Sequence, residues 1–250
     1  MAIRVLTALS YSAEFLPQFA EHYAAAGAES IECTVLELVE GVEARALELT
    51  RGASIPVNFH PATKHWQETK IEGINKAELM ASLGVDHVDA TVFADLDEFH
   101  NFERPLPALI ADMNASGYRY AMGRFVDRIS ESGELTAFDP KCRLDSQYPR
   151  GAHITRDICQ IDDRKVVLAL GHWTQTRVTS GHHRMIDESL PKYPHEFTIA
   201  HYAWYAGRLE AIERRVKNYE IVKNGQGYMP AVRLFKHLAQ NGGRFNLRAA

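Results

Sequence analysis

The sequence predicts an α/β fold, a mostly parallel sheet flanked by helices. Two observations carry that expectation. Short apolar or β-branched runs alternate with segments of helical period through the first hundred residues, and an acidic cluster closes one of the runs. The 250 residues, 46% hydrophobic and 24% charged, suit a globular chain with a sizeable core.

The elements follow in order. Ile3 to Leu9 (IRVLTAL) reads as a buried parallel strand. Phe15, Phe19 and Tyr23 lie four apart on one face of a helix that Gly27 ends. Ser30 to Leu36 is a second strand, Val42 to Thr50 a helix stopped by Gly52, and Ile55 to Phe59 a third strand. Asn75 to Leu83 is helical up to Gly84. His87 to Ala94 (HVDATVFA) is a strand that runs straight into Asp95-Leu96-Asp97-Glu98-Phe99. Ligands of parallel sheets gather at the carboxyl ends of strands, where this cluster falls. Farther on, Pro105 to Ser116 is a helix followed by Gly117, Tyr118 to Ile129 contains a strand, and Val166 to Leu170 is another. The polar stretch from Ser130 to Arg164 shows little periodicity. Tyr202 to Lys223 is a long helical segment carrying Leu209, Ile212 and Val216, and a short helix lies around Ala231 to Gln240. No repeat, low-complexity tract or linker divides the chain, so residues 1–250 are expected to form a single domain.

Charge and cysteine content exclude several classes. A net charge of -4 supplies no field for nucleic acid. Cys33, Cys142 and Cys159 are odd in number and far apart, which fits a reducing, cytoplasmic location better than a disulfide framework. The opening segment is too short before Glu14 to read as a signal peptide. No apolar run reaches the roughly 18 residues that a transmembrane segment needs.

Asp95 and Asp97 put two carboxylates on one turn after a strand. Hard cations such as Mn²⁺ or Mg²⁺ prefer oxygen ligands and keep positions open for phosphate oxygens. A cation so held offsets the charge on a departing diphosphate. The bland reading of the same residues is a solvated turn with a capping Asp. Twelve histidines are present, and most read as surface or hydrogen-bonded groups. His201 stands out because it follows the apolar run Phe197-Thr198-Ile199-Ala200 and precedes a helical segment. Arg128 offers a fork for diphosphate. Lys76 lies on the helix leading to the acidic strand. Trp66, Trp173 and Trp204 suit sugar stacking or, more commonly, core packing.

The segment Val92-Phe93-Ala94-Asp95-Leu96-Asp97-Glu98-Phe99 resembles the D-x-D-E-F signature of GT-A glycosyltransferases of the family 2-like and family 92-like type. Ser10-Tyr11-Ser12-Ala13-Glu14 through Gly27 resembles that family's opening strand-loop-helix, with serine where the family usually has Asn. Val126-Asp127-Arg128 with Gly133, Ser180-Gly181-His182-His183, and Ala200-His201-Tyr202-Ala203-Trp204 resemble its later segments. The resemblance implies a GT-A, Rossmann-like fold, with a nucleotide-binding half over about residues 1–100 and an acceptor-side half over about 101–250. It implies transfer of a sugar from a nucleotide-sugar donor to an unknown acceptor, whether a glycan, a lipid-linked glycan or a small molecule. Asp97 is then the direct metal ligand, Asp95 touches ribose or metal, and His201 completes the coordination of that cation. Ser10, Glu14, Lys76, Asp95 and Arg128 are the expected nucleotide-sugar contacts. Glu98, Asp127 and His183 are equal candidates for the catalytic base. Two alternatives use the same carboxylates: a metal-dependent phosphohydrolase or nucleotidyltransferase, and a non-catalytic nucleotide-sugar-binding member of the family.

Overall fold

The computed structural model of the chain describes residues 1–9, 13–35, 41–61, 89–171, 178–210, 212–213, 216–217 and 229–246. The chain forms two compact units, Met1–Arg124 with Arg164–Ile199, and Phe125–Asp163 with Ala200–Ala250.

The first unit holds the predicted α/β sheet. Strands β1 (Ile3–Leu9), β2 (Ser30–Val35), β3 (Val57–Pro61) and β4 (Ala90–Phe93) run parallel in the order β3-β2-β1-β4. Val5 of β1 sits between Ile31 and Val92. Strands β1, β2 and β4 are largely buried, whereas β3, at the end of the order, alternates and leaves Asn58 exposed. Helices α1 (Leu16–Ala26), α2 (Val42–Leu49) and α3 (Leu106–Ala115) flank the sheet, which is the expected Rossmann-like arrangement. The four-residue spacing seen in the sequence buries Phe19 and Tyr23 of α1 completely. Gly27 ends α1 with φ 97, and the amide of Ala28 returns to the Tyr23 carbonyl at 2.9 Å.

Beyond β4 the sheet changes sense. Strand β8 (Arg164–Leu170) is antiparallel to β4, with Val92 opposite Leu168, and β6 (Tyr120–Ile129) is antiparallel to β8. Strand β9 (Phe197–His201) and then β5 (Glu98–Asn101) complete the order. The sequence reading assigns no strand to the residues after Asp97. Instead Glu98 opens β5, which lies at the opposite end of the order from β3, so the acidic turn closes no hairpin.

Gly123 lies where β6 meets β8. A Cβ there would stand 2.6 Å from Val167 Cγ1 and 2.8 Å from Ile199 Cγ1. Both neighbours are buried β-branched side chains with little rotamer freedom. Gly123→Ala is therefore expected to destabilise the protein by about 1–3 kcal/mol, read as a lower denaturant midpoint. An unchanged midpoint would show that this strand junction is not tightly packed.

In the second unit the later part of β6 pairs antiparallel with β7 (Arg150–Ala152), Asp127 opposite Ala152. The stretch from Ser130 to Arg164 contains two single-turn helices, α4 (Leu144–Gln147) and α5 (Ile154–Asp157), besides β7. Such short elements carry too few residues for a period to show in sequence. Ile129, Ile154, Trp204, Leu234, Leu238 and Phe245 form the core, with helix α6 (Met229–Gln240) supplying both leucines. The predicted helix from Tyr202 to Lys223 begins as a 3₁₀ turn at Ala206–Arg208, and Ile212 packs in the same core. The predicted helix at Asn75 to Leu83, together with Trp66 and Trp173, lies outside the described residues. No described helix is long and apolar enough to cross a membrane.

Candidate functional site

Strand β4 ends at Phe93, and the chain turns at Asp95-Leu96-Asp97-Glu98, closed by the Glu98 amide donating to the Asp95 carbonyl at 2.9 Å. The turn lies at the carboxyl end of β4, which neighbours β1 in the parallel half of the sheet. The Glu98 side chain folds back beneath it, one oxygen accepting the Asp95 amide at 3.1 Å. Tyr23 of α1 donates its hydroxyl to the Glu98 carbonyl at 3.0 Å, tying the turn to the helix. Burial, with help from the Glu98 charge, raises the Tyr23 phenol well above its usual range, so it stays a donor. Glu98 is 1% exposed, whereas Asp95 and Asp97 are half-buried.

Lys165, absent from the sequence-based candidates, dominates the electrostatics. It is 4% exposed, and its ammonium donates to Asp95 Oδ2 at 2.6 Å and to Glu98 Oε1. The sheet register brings it there. Val92 opposes Leu168 in an antiparallel pair, so the turn that follows β4 comes to the beginning of β8, where Lys165 lies. Burial alone would lower the Lys165 pKa. Asp95 and Glu98 outweigh burial and raise it, keeping the ammonium charged. His100 lies below, its Nε2 3.9 Å from Glu98 Oε2. Burial lowers its pKa against the pull of Glu98, so this imidazole is neutral.

The donor chemistry suits one hard divalent cation. Asp95, Asp97 and Glu98 supply three carboxylates and Lys165 one ammonium, a local balance of about -2 that a divalent ion neutralises. Asp97, at the apex of the turn, and Glu98 are carboxylates that could hold such an ion.

Other candidates in this unit have separate surroundings. Glu14 pairs with Arg45 of α2 at 3.1 Å on the exterior. His183 follows a turn in which Gly181 and His182 both have positive φ, 71 and 59. Its Nδ1 lies 2.9 Å from the Arg164 carbonyl, which can only accept, so Nδ1 carries the proton. Ser10 and Lys76 lie outside the described residues.

In the second unit Asp127 is fully buried and surrounded by donors. The Thr155 amide reaches Oδ2 at 2.7 Å, while the Thr155 hydroxyl, Trp204 Nε1 and His201 Nδ1 reach Oδ1 at 2.8, 2.7 and 2.7 Å. Burial would raise this carboxyl's pKa; the His201 contact and the other donors outweigh it and lower the value below the usual range. Trp204 thus serves the core and this network. Arg128 donates to the carbonyls of Tyr148 and Pro149 at 3.1 and 3.0 Å, bracing the end of α4.

Comparisons with known proteins supply no assignment. The sequence matches no protein-family model, and no curated protein matches it. Among solved structures, a UDP-glucose pyrophosphorylase complexed with UDP-glucose aligns at 13% identity over 68% of this chain and 76% of its own, with a TM-score of 0.32. HddC from Yersinia pseudotuberculosis aligns at 12% identity over 82% and 84%, with a TM-score of 0.37. A mycobacterial protein aligns at 15% identity over 54% and 43%, with a TM-score of 0.31. Likenesses of this degree define neither the topology nor the chemistry of this chain.

Proposed function

We propose that the chain is a metal-dependent glycosyltransferase of GT-A type, which moves a sugar from a nucleotide-sugar donor to a hydroxyl acceptor. One observation carries the reading: the Asp95–Glu98 turn lies at the carboxyl end of β4, beside β1, in a Rossmann-like parallel sheet. Ligands of open α/β sheets bind outside the carboxyl ends of strands, where the order reverses; here that point falls between β1 and β4. A carboxylate at that point suits a cation–diphosphate complex. Asp97 would hold Mn²⁺ or Mg²⁺, and the ion, when bound, supplies Lewis-acid stabilisation of the departing diphosphate.

The remaining roles follow from what each side chain already touches. Lys165 holds Asp95 and Glu98 in place and limits the charge of the turn. Among the three base candidates, Glu98 and Asp127 are buried and held by other donors, which favours His183. With its proton on Nδ1, the neutral His183 ring has its basic lone pair on Nε2. On the family resemblance, His201 is proposed as an imidazole donor to a divalent cation through Nε2.

Calorimetric titration with UDP-, GDP- and CDP-linked sugars, with and without Mn²⁺, tests the reading. Binding of one intact nucleotide-sugar, tighter by at least about tenfold with Mn²⁺, is the expected result. Equal binding with and without metal, or binding of none of these donors, sinks it. Release of a nucleoside triphosphate when pyrophosphate is added would move the chain to the nucleotidyltransferases.

A further inference from the structure

We propose that Asp127 is a positioning residue: it fixes the proton of His201 on Nδ1 and thereby makes Nε2 the donor nitrogen. The proposal deepens the role given to His201 above and rests on it for its metal half, while its proton half is readable with no ligand present.

The argument starts from which groups can only donate. A backbone amide and an indole N–H have no acceptor lone pair in these contacts. The Thr155 amide reaches one oxygen of Asp127 and Trp204 Nε1 the other, both at 2.7 Å, so each carboxylate oxygen must accept. These donors, with the Thr155 hydroxyl, stabilise the charged form, so the carboxylate is ionised and has no proton to give. His201 Nδ1, 2.7 Å from the same Oδ1, must be the donor. In the neutral ring the lone pair then sits on Nε2.

Packing prevents the ring from exchanging its nitrogens. His201 stacks on Phe125 with centroids 4.3 Å apart and planes 14° apart, and Trp204 lies edge-on at 79°. A ring flip would turn a carbon toward Asp127 Oδ1 and strand a buried charge without one of its donors. Thus the plane is set by stacking and the rotation by the carboxylate.

A fully buried carboxylate is a costly way to fill a core, since well-packed apolar groups of the same size are often more stable. Orientation of an imidazole is what such a residue supplies that a hydrophobe cannot. Carboxylates held against the far nitrogen of a ligating imidazole fix its tautomer and raise its basicity. Losing one typically lowers metal affinity or activity about 10- to 100-fold. Thr155 and Trp204 in turn keep the carboxylate ionised and still, so the order is Thr155 and Trp204, then Asp127, then His201.

Nitrogen-15 spectra of the histidine-labelled full chain, recorded with the rings neutral, test this directly. The His201 signals are identified by their loss in His201→Gln. Wild type should show Nδ1 protonated. Asp127→Leu removes the acceptor at similar volume and should move the proton to Nε2. Mn²⁺ affinity measured by calorimetry should fall about 10- to 100-fold in Asp127→Leu. A wild-type ring protonated on Nε2 overturns the proposal, whether or not Asp127→Leu folds. An unmoved tautomer in a folded Asp127→Leu overturns it equally. A moved tautomer with unchanged Mn²⁺ affinity supports the positioning role and removes His201 from the metal's ligands.

Discussion

Lys165→Met is expected to lower the stability of the folded chain by about 3–5 kcal/mol, seen as a shift of the denaturant midpoint at neutral pH. The methionine fills nearly the same volume, so packing changes little and the loss is electrostatic. It removes the positive charge beside Glu98, whose side chain is 2% exposed and cannot turn to water. Asp95 is 42% exposed at its side chain, so its contact with Lys165 is screened and contributes less. The sign with pH follows from the raised Lys165 pKa. Its stabilisation is fully present below the ordinary lysine value and is lost only as pH rises through the higher folded value. The deficit of the variant should therefore be constant across the neutral range. A second substitution separates charge from shape: Glu98→Gln in the Lys165→Met background removes the stranded carboxylate and should recover part of the loss. A cost below about 1 kcal/mol for Lys165→Met, or no recovery in the double variant, would mean that the ammonium does not hold the turn.

Lys165 also shows where reading the sequence stops. The parallel half of the sheet was legible because short strands rich in apolar and β-branched residues, β1, β2 and β4, alternate with segments of helical period that end at Gly27 and Gly52. The turn at Asp95 was legible because two carboxylates closed such a run. Lys165 was not, because its place depends on β8 entering antiparallel next to β4, a long-range pairing that no local pattern encodes. A weak signal existed: Lys165 is a single charge against the apolar Val166 to Leu170, yet it read as the residue before the strand. Strand β5 was missed for a similar reason. Four residues, one of them an acid, look like a turn until β9 supplies a partner. The surroundings of Asp127 were hidden because Thr155 and Trp204 lie 28 and 77 residues away. Sequence offers Asp127 as one of three base candidates; only tertiary structure reveals four donors around it.

The sharpest expected effect on ligand binding belongs to Asp97→Asn. Asparagine keeps the size of the side chain and is well tolerated in turns, so the turn closed by the Glu98 amide should persist. What disappears is one formal charge and one strong oxygen donor at the apex. Outer-shell changes already cost about 10- to 100-fold in metal affinity, so loss of a direct ligand should cost at least about 100-fold. Asp95→Asn is the informative companion. Asp95 is held by Lys165 at 2.6 Å, and its replacement should loosen the turn while reducing Mn²⁺ affinity far less than Asp97→Asn does. The order of the two variants, read from manganese titrations followed by electron paramagnetic resonance, decides which carboxylate meets the ion. Nucleotide-sugar affinity should fall with Mn²⁺ affinity in Asp97→Asn and return to the metal-free value of wild type. If Asp97→Asn binds Mn²⁺ and donor as wild type does, with an unchanged denaturant midpoint, the acidic turn is a solvated structural turn and the cation-dependent reading of this chain is wrong.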